Sequence, residues 1–486
     1  MAPLVAGVHA SECEPSEDAA TRPMRWRGLS ERVAHHIADT RFDDLPPAAV
    51  AMAKRSLLDA LGVSMAATSL EPACSRFIDL ARDMGSGDAL IPGTGVRSSA
   101  VMAALANGSL AHALDYEDAH DPTLTHPNAA TVAAALSLLS PMRKTSGREF
   151  ITAIAVGADL VCRLARARNM LTRLPTRFYP PALVGTFGAT AAAGQLLNLD
   201  AQQVLDALSL TLCNNSCSAE ILHSPYSDIR AVRDSFCAQS GVQAALLAGA
   251  GIRGFDAPLE GRSGFFTMYD EGNMDVAALT DRLGVYFEGE RIGFKAWPAC
   301  RATHPYIQSA LEGMTRDRLD LTSVDRITVT VREADLIVCE PKSEKLRPSS
   351  PIDAKFSIYY TLAHAMLFEG VDLNSFTASA LHDPATLELA AKIDYVIDDG
   401  QALAQANGGR PLVSIQRSGH TPLEWSIDAL YGTPENPISD ERLIGKFVDC
   451  GLTARVPADA TTLRQLASEI LSIEQHDNVW ALISRL

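Results

Sequence analysis

The sequence predicts a mostly α-helical protein with an inserted α+β lid, that is, a large all-helical domain plus a smaller α+β domain. From Leu29 to Ala250 one amphipathic or wholly apolar segment follows another, rich in Ala and Leu and broken by Gly, Pro and Asp-Pro turns. Near Gly284 the texture changes, and β-branched residues begin to alternate, as in Ile327-Thr328-Val329-Thr330-Val331. Beyond Gly432 the helical pattern returns.

In chain order, helices are expected at 47–66, opening after Pro46, then at 99–114, 129–139, 149–164 and 183–196. Several are apolar nearly all round, which marks them as helices inside a large bundle. Strands are expected at 327–331, 412–416 and 425–430, the last two joined across the Ser418-Gly419 turn. Helical stretches at 305–314, 358–368 and 384–393 lie among them, and helices follow at 440–447 and 460–473. The expected division is a disordered tail over 1–25, a helical domain over 26–289, the α+β lid over 290–432, and a return to the helical domain over 433–486.

Composition narrows the function. A chain of 486 residues, 47% hydrophobic, is long enough for two or three domains. With 42 basic and 58 acidic residues, its net charge of -16 opposes binding to nucleic acid or anionic lipid. The apolar stretch around Leu246-Leu247 is far shorter than the roughly 20 residues a membrane span needs. The N-terminus has no basic segment followed by an apolar one, and it carries Glu12, Glu14, Glu17 and Asp18, unlike a targeting peptide. A cytoplasmic protein is expected. Nine scattered cysteines fit buried free thiols in a reducing compartment, and Cys213 and Cys217 have no zinc-finger partners nearby.

The densest polar cluster runs His112-Ala113-Leu114-Asp115-Tyr116-Glu117-Asp118-Ala119-His120-Asp121-Pro122 and on to His126-Pro127. Carboxylates and imidazoles so close together tune one another's pKa values, which suits an acid/base centre. An acidic helix end capped by histidines is the other reading. The spacing of His120, Asp121 and His126 matches no standard metal motif, so no metal is expected. Cations gather elsewhere, at Arg177, Arg230, Arg233, Lys295 and Arg301, several beside aromatic or apolar residues. Buried there, each needs an anion, either a substrate carboxylate or a protein carboxylate such as Asp228 or Asp234. Gly185-Thr186-Phe187-Gly188 matches neither a dinucleotide fingerprint nor a P-loop, so its glycines are read as close helix packing. No Gly-x-Ser-x-Gly elbow is present.

Together these segments resemble the MmgE/PrpD family, which includes 2-methylcitrate dehydratase, cis-aconitate decarboxylase and iminodisuccinate epimerase. The matching segments are 56–62, 107–115, His126-Pro127, 185–188, 238–241, 259–261, 294–300, Ala354-Lys355-Phe356-Ser357 and 434–437. The resemblance implies a helical domain plus lid, a homodimer, an active site in the cleft between domains, and no cofactor. Against the decarboxylase pattern, Asp115, His126, Lys295 and Tyr360 fall on site positions. Three positions depart: Ala119 replaces Thr, Tyr179 replaces His and Arg230 replaces Lys. A tyrosine at 179 is similar to the epimerase branch.

The expected function is therefore a cofactor-independent lyase, a dehydratase ahead of a decarboxylase, acting on a small di- or tricarboxylate. Epimerisation of an amino- or imino-dicarboxylate is the alternative, and a non-catalytic binding protein on the same fold is the second. Asp115, His126, Tyr179, Lys295 and Tyr360 are the expected catalytic residues, and Arg230, Arg233, Arg301 and His120 the expected substrate-binding ones. In this scheme Asp115 orients His126 or serves as a second base, and lid closure brings Lys295 to the helical domain.

Overall fold

A computed structural model describes residues 28–168, 177–224, 227–398 and 412–486; the expected tail over 1–25 lies outside them. The longer helices of the first half are α1 (Leu29–Asp39), α2 (Pro47–Leu70), α3 (Pro72–Met84), α4 (Ala100–His112), α5 (Pro127–Ser137), α6 (Gly147–Ala167), α7 (Pro180–Leu196), α8 (Ala201–Asn214) and α9 (Asp234–Gly249). Proline opens α2, α5 and α7, where its missing N–H costs nothing. Small residues let the central helices approach closely: a Cβ on Gly188 of α7 would lie 2.3 Å from Val161 of α6 and 2.8 Å from Thr131 of α5. Gly185 has no such neighbour, its nearest being the Ala130 Cβ at 3.7 Å.

One core runs from Leu29 through Ala296 and takes in Leu443 of the C-terminal helix α12 (Asp440–Leu452), Leu466 of α13 (Ala460–Leu471), Ile438 just before α12, and Ile483 of the short last helix Val479–Ile483. A second core, including Tyr306, Ile327, Leu362, Val413 and Trp425, belongs to the α+β part. Its helix α10 (His304–Asp317) packs on a four-stranded mixed sheet and on α11 (Ile358–Phe368), which shares the same core. The strands are β3 (Val324–Val331), β4 (Ile393–Ile397), β5 (Val413–Arg417) and β6 (Leu423–Trp425), in the order β4-β3-β5-β6. A short hairpin of β1 (Ala89–Ile91) and β2 (Val96–Ser98) lies apart from it.

Two expected elements differ. The strand expected over 425–430 is Leu423–Trp425, because pairing with β5 runs only from Ile415↔Leu423 to Val413↔Trp425. There the Trp425 ring turns into the core against Gly313 and its Nε1 donates to Asp317 at 2.8 Å. The helix expected over 384–393 ends at Ala390, and Ile393 instead begins β4, paired in parallel with Ile327 of β3. Its Ile393-Asp394-Tyr395-Val396-Ile397 run has β-forming side chains and no helical stripe.

The segment carrying Lys295 belongs to the large core, since Ile292, Phe294 and Ala296 all pack there. It is pinned by reciprocal backbone hydrogen bonds between Ala119 and Gly293, and by Phe294 N–H donating to the Gly432 carbonyl at 2.7 Å. Gly432 has φ 89°, and a Cβ there would meet the Phe294 carbonyl oxygen at 2.0 Å, so both conformation and space require glycine. Among the described residues no helix is long and apolar enough to cross a membrane.

Candidate active site

The acidic cluster begins where α4 ends at His112, and the chain turns sharply through Asp115, whose φ is 50°. This left-handed backbone is unusual for a residue with a side chain and reverses the chain so that 115–118 fold back on α4. The turn buries Asp115, Glu117 and Asp118 almost completely.

Glu117 is the hub. Its Oε1 accepts from His112 Nδ1, and His126 Nδ1 lies 3.0 Å from the same oxygen. His126 Nδ1 also contacts the Asp118 carbonyl at 2.8 Å. A carbonyl can only accept, so that nitrogen carries the proton, and in neutral imidazole Nε2 is then the basic atom. The His112 and His126 rings lie 5.2 Å apart. Lys295 Nζ donates to Asp115 Oδ1 at 2.6 Å and to the Asp115 carbonyl at 3.0 Å, and lies 3.8 Å from Glu117.

The charges follow from this geometry. Burial pushes Asp115 upward, but the Lys295 ammonium together with His112 and His126 outweighs it and holds the carboxyl at about 2. Burial acts likewise on Glu117, where His112, Lys295 and His126 together hold it well below the usual carboxylate range. Burial, aided by Arg233, lowers His112 to about 4, so its ring is neutral at pH 7. Burial disfavours the Lys295 ammonium, yet Asp115 and Glu117 reverse the effect and leave its pKa raised. Asp118 is pushed up to about 7 by burial, partly offset by the Asn128 amide, which donates to it at 2.5 Å.

His112, Asp115, Glu117 and His126 each offer a ligand atom within 4.8 Å of the others, a set that could hold a metal ion. A divalent ion would share Asp115 and Glu117 with the Lys295 ammonium, which already supplies positive charge to that spot.

Of the residues singled out from sequence, Asp115, His126 and Lys295 come together. The carboxylate 3.0 Å from His126 Nδ1 is that of Glu117, while Asp115 pairs with Lys295 at 2.6 Å. Arg233 is buried, with its guanidinium 4.9 Å from the centre of the Tyr179 ring, and its Nη2 has no hydrogen-bond partner among the described residues. A cavity of about 270 Å³ opens against Arg233, lined also by Ala182, Thr186, Cys217, Ser218 and Phe236. Arg230 stacks on Phe356 of the α+β part, 3.9 Å from the ring centre. Arg301 is engaged by Asp121 through two hydrogen bonds of 2.7 and 2.8 Å. His120 is fully buried and its Nδ1 meets Thr123 Oγ1 at 2.7 Å. Tyr360 donates to the Ser375 carbonyl at 2.7 Å and stacks on His364, inside the packing of the α+β part.

The sequence alone assigns His112 and Glu117 no individual role. Their signal is the i, i+5 spacing across a chain reversal, which no regular periodicity reveals. Lys446 of α12 was also missed: it pairs with Asp59 at 2.7 Å and donates to the Tyr116 carbonyl at 2.6 Å.

Comparison with known proteins places the chain. The MmgE/PrpD N-terminal domain model matches residues 31–276 and the MmgE/PrpD C-terminal domain model matches 297–470. Human cis-aconitate decarboxylase is 24% identical, the match covering 87% of this chain and 88% of the relative. Cis-aconitate decarboxylase of Aspergillus terreus is 23% identical over 94% of this chain and 96% of its own. The 2-methylcitrate dehydratase of Cupriavidus necator is 24% identical over 77% of this chain and 79% of its own. With the two domain models together spanning nearly all of its folded length, the chain belongs to the MmgE/PrpD family.

Proposed function

We propose that this protein is a lyase that eliminates water from a small di- or tricarboxylate, acting as a cytoplasmic homodimer. The observation that carries the reading is the buried centre in which Glu117 holds His126 Nδ1 while Lys295 compensates Asp115. In the reaction, His126 Nε2 removes a proton from the carbon next to a substrate carboxylate. Glu117 stabilises the imidazolium that forms, as a buried carboxylate does for a catalytic histidine. Lys295 and Arg233 offset the charge that develops on the carboxylate oxygens. Tyr179, against Arg233, protonates the departing hydroxyl, so water leaves and an alkene remains. The Arg233 Nη2, without a hydrogen-bond partner among the described residues, takes a substrate carboxylate. No electron transfer is involved, so these groups need no redox cofactor.

Decarboxylation is the second reading. It is favoured by the decarboxylase relatives, whose matches cover more of the chain than the dehydratase match does. Proton NMR of the protein in deuterated water with citrate-like, malate-like and amino-dicarboxylate acids tests both. Vinylic signals appearing as substrate disappears support a lyase, and release of carbon dioxide identifies the decarboxylase. Deuterium entering the α-position without net loss would point to epimerisation, and an unchanged panel would remove the enzymatic reading.

A further inference from the structure

Three lysines from three separate stretches of chain cap three successive carbonyls of the active-site turn. Lys355 Nζ donates to the Leu114 carbonyl at 2.6 Å, Lys295 to that of Asp115 at 3.0 Å, and Lys446 to that of Tyr116 at 2.6 Å. These oxygens lie just past the C-terminal end of α4, where the helix dipole is negative and cations are favoured. They also belong to the stretch in which Asp115 adopts its positive φ, a conformation that persists only when its surroundings hold it.

Lys295 and Lys446 each have a carboxylate partner, Asp115 and Asp59. Lys355 is different: among the described residues it forms no ion pair, and its Nζ lies 5.2 Å from the centre of the Phe376 ring. It is 3% exposed. A buried ammonium that makes no direct ion pair is costly, and an apolar side chain of similar volume would serve packing better. Lys355 is also the one member of the trio carried by the α+β part, at the end of the short helix Pro351–Lys355. Its own carbonyl accepts from Cys300 N–H at 3.0 Å, just after the two cores part company.

We propose that Lys355 is a positioning residue through which the α+β domain, when seated, sets the active-site turn and hence the Asp115–Lys295 and Glu117–His126 pairs. The proposal rests on the lyase reading for its kinetic test alone. Burial lowers Lys355 to about 8, and the charged groups facing it are Asp115, Glu71, Lys295 and Glu117, with the Cys450 thiol also near. It is therefore charged at pH 7 and loses its charge across pH 8, which predicts an alkaline fall in activity there.

Lys355→Met and Lys355→Arg test this by kcat, KM and pH profile. Lys355→Met is expected to lower kcat about 10- to 100-fold, the scale of one charged hydrogen bond, with KM changed less. Lys355→Arg, which stays charged, is expected to recover much of kcat and to move the alkaline limb upward. Wild-type kcat and an unchanged limb in both variants would overturn the proposal. If wild-type protein turns over no acid, the lyase reading fails by itself, and amide hydrogen exchange of residues 113–120 decides. Faster exchange there in Lys355→Met, slowed again in Lys355→Arg, supports the positioning role, and unaltered exchange rejects it. Should Lys355→Met fail to fold, Lys355→Arg and the wild-type pH profile give the same two outcomes.

Discussion

At the residue scale, the centre balances two buried carboxylates against one ammonium and two imidazoles. Removing the ammonium leaves Asp115 uncompensated, so Lys295→Met is expected to destabilise the protein by about 3–5 kcal/mol. Adding Asp115→Asn should recover part of that loss in chemical denaturation. Asp118 gives a pH signature of opposite kind. Its folded pKa of about 7 lies above the unfolded value of about 3.9, so its contribution is complete below pH 4 and is lost as pH rises through 7. Asp118→Asn, which keeps an acceptor for Asn128, should flatten the melting temperature between pH 4 and 7. At pH 8 it should leave the variant more stable than the wild type by roughly 2–4 kcal/mol. The residue types of this centre were legible in the sequence because they crowd into one short stretch. Their pairing was not, because a left-handed turn at Asp115 decides which side chains meet. The same holds for Arg301 and His120, whose partners Asp121 and Thr123 are visible in the sequence but whose contacts depend on the folded turn.

At the scale of elements, the helices were legible wherever small and apolar residues persist: 358–368 coincides with α11, and the other long helices differ mainly at their ends. The reading of Gly185 and Gly188 as packing glycines holds for Gly188 alone. Gly188→Ala would drive a methyl into Val161 and Thr131 and is expected to cost about 1–3 kcal/mol. Gly185→Ala meets no close neighbour and should be neutral or stabilising by up to about 1 kcal/mol, through helix propensity. Thermal melts of the two variants separate these outcomes. The sheet was harder to read. Its strands are short, its order β4-β3-β5-β6 is not sequential, and β4 pairs in parallel, so local alternation identified β3 and β5 but not the partner at 393–397.

At the scale of the whole molecule, the two-part architecture was legible as a change of texture. The exact change of core was not, because Ile292, Phe294 and Ala296 look like lid residues in sequence yet pack in the large core. That placement sets Lys295 against Asp115 independently of any lid movement, and leaves Lys355, Arg230 on Phe356, and Arg301 on Asp121 as contacts between the two parts. In the proposed reaction, the proton-transfer centre at this junction uses His126 as its base. The most direct measurement compares wild type and His126→Asn for turnover of a carboxylate substrate and for deuterium exchange at its α-carbon. A fall of about 10²- to 10⁴-fold in both, with the melting temperature nearly unchanged because the asparagine amide can still donate to Glu117 and the Asp118 carbonyl, is the predicted result. Turnover and exchange at the wild-type rate in His126→Asn would contradict it.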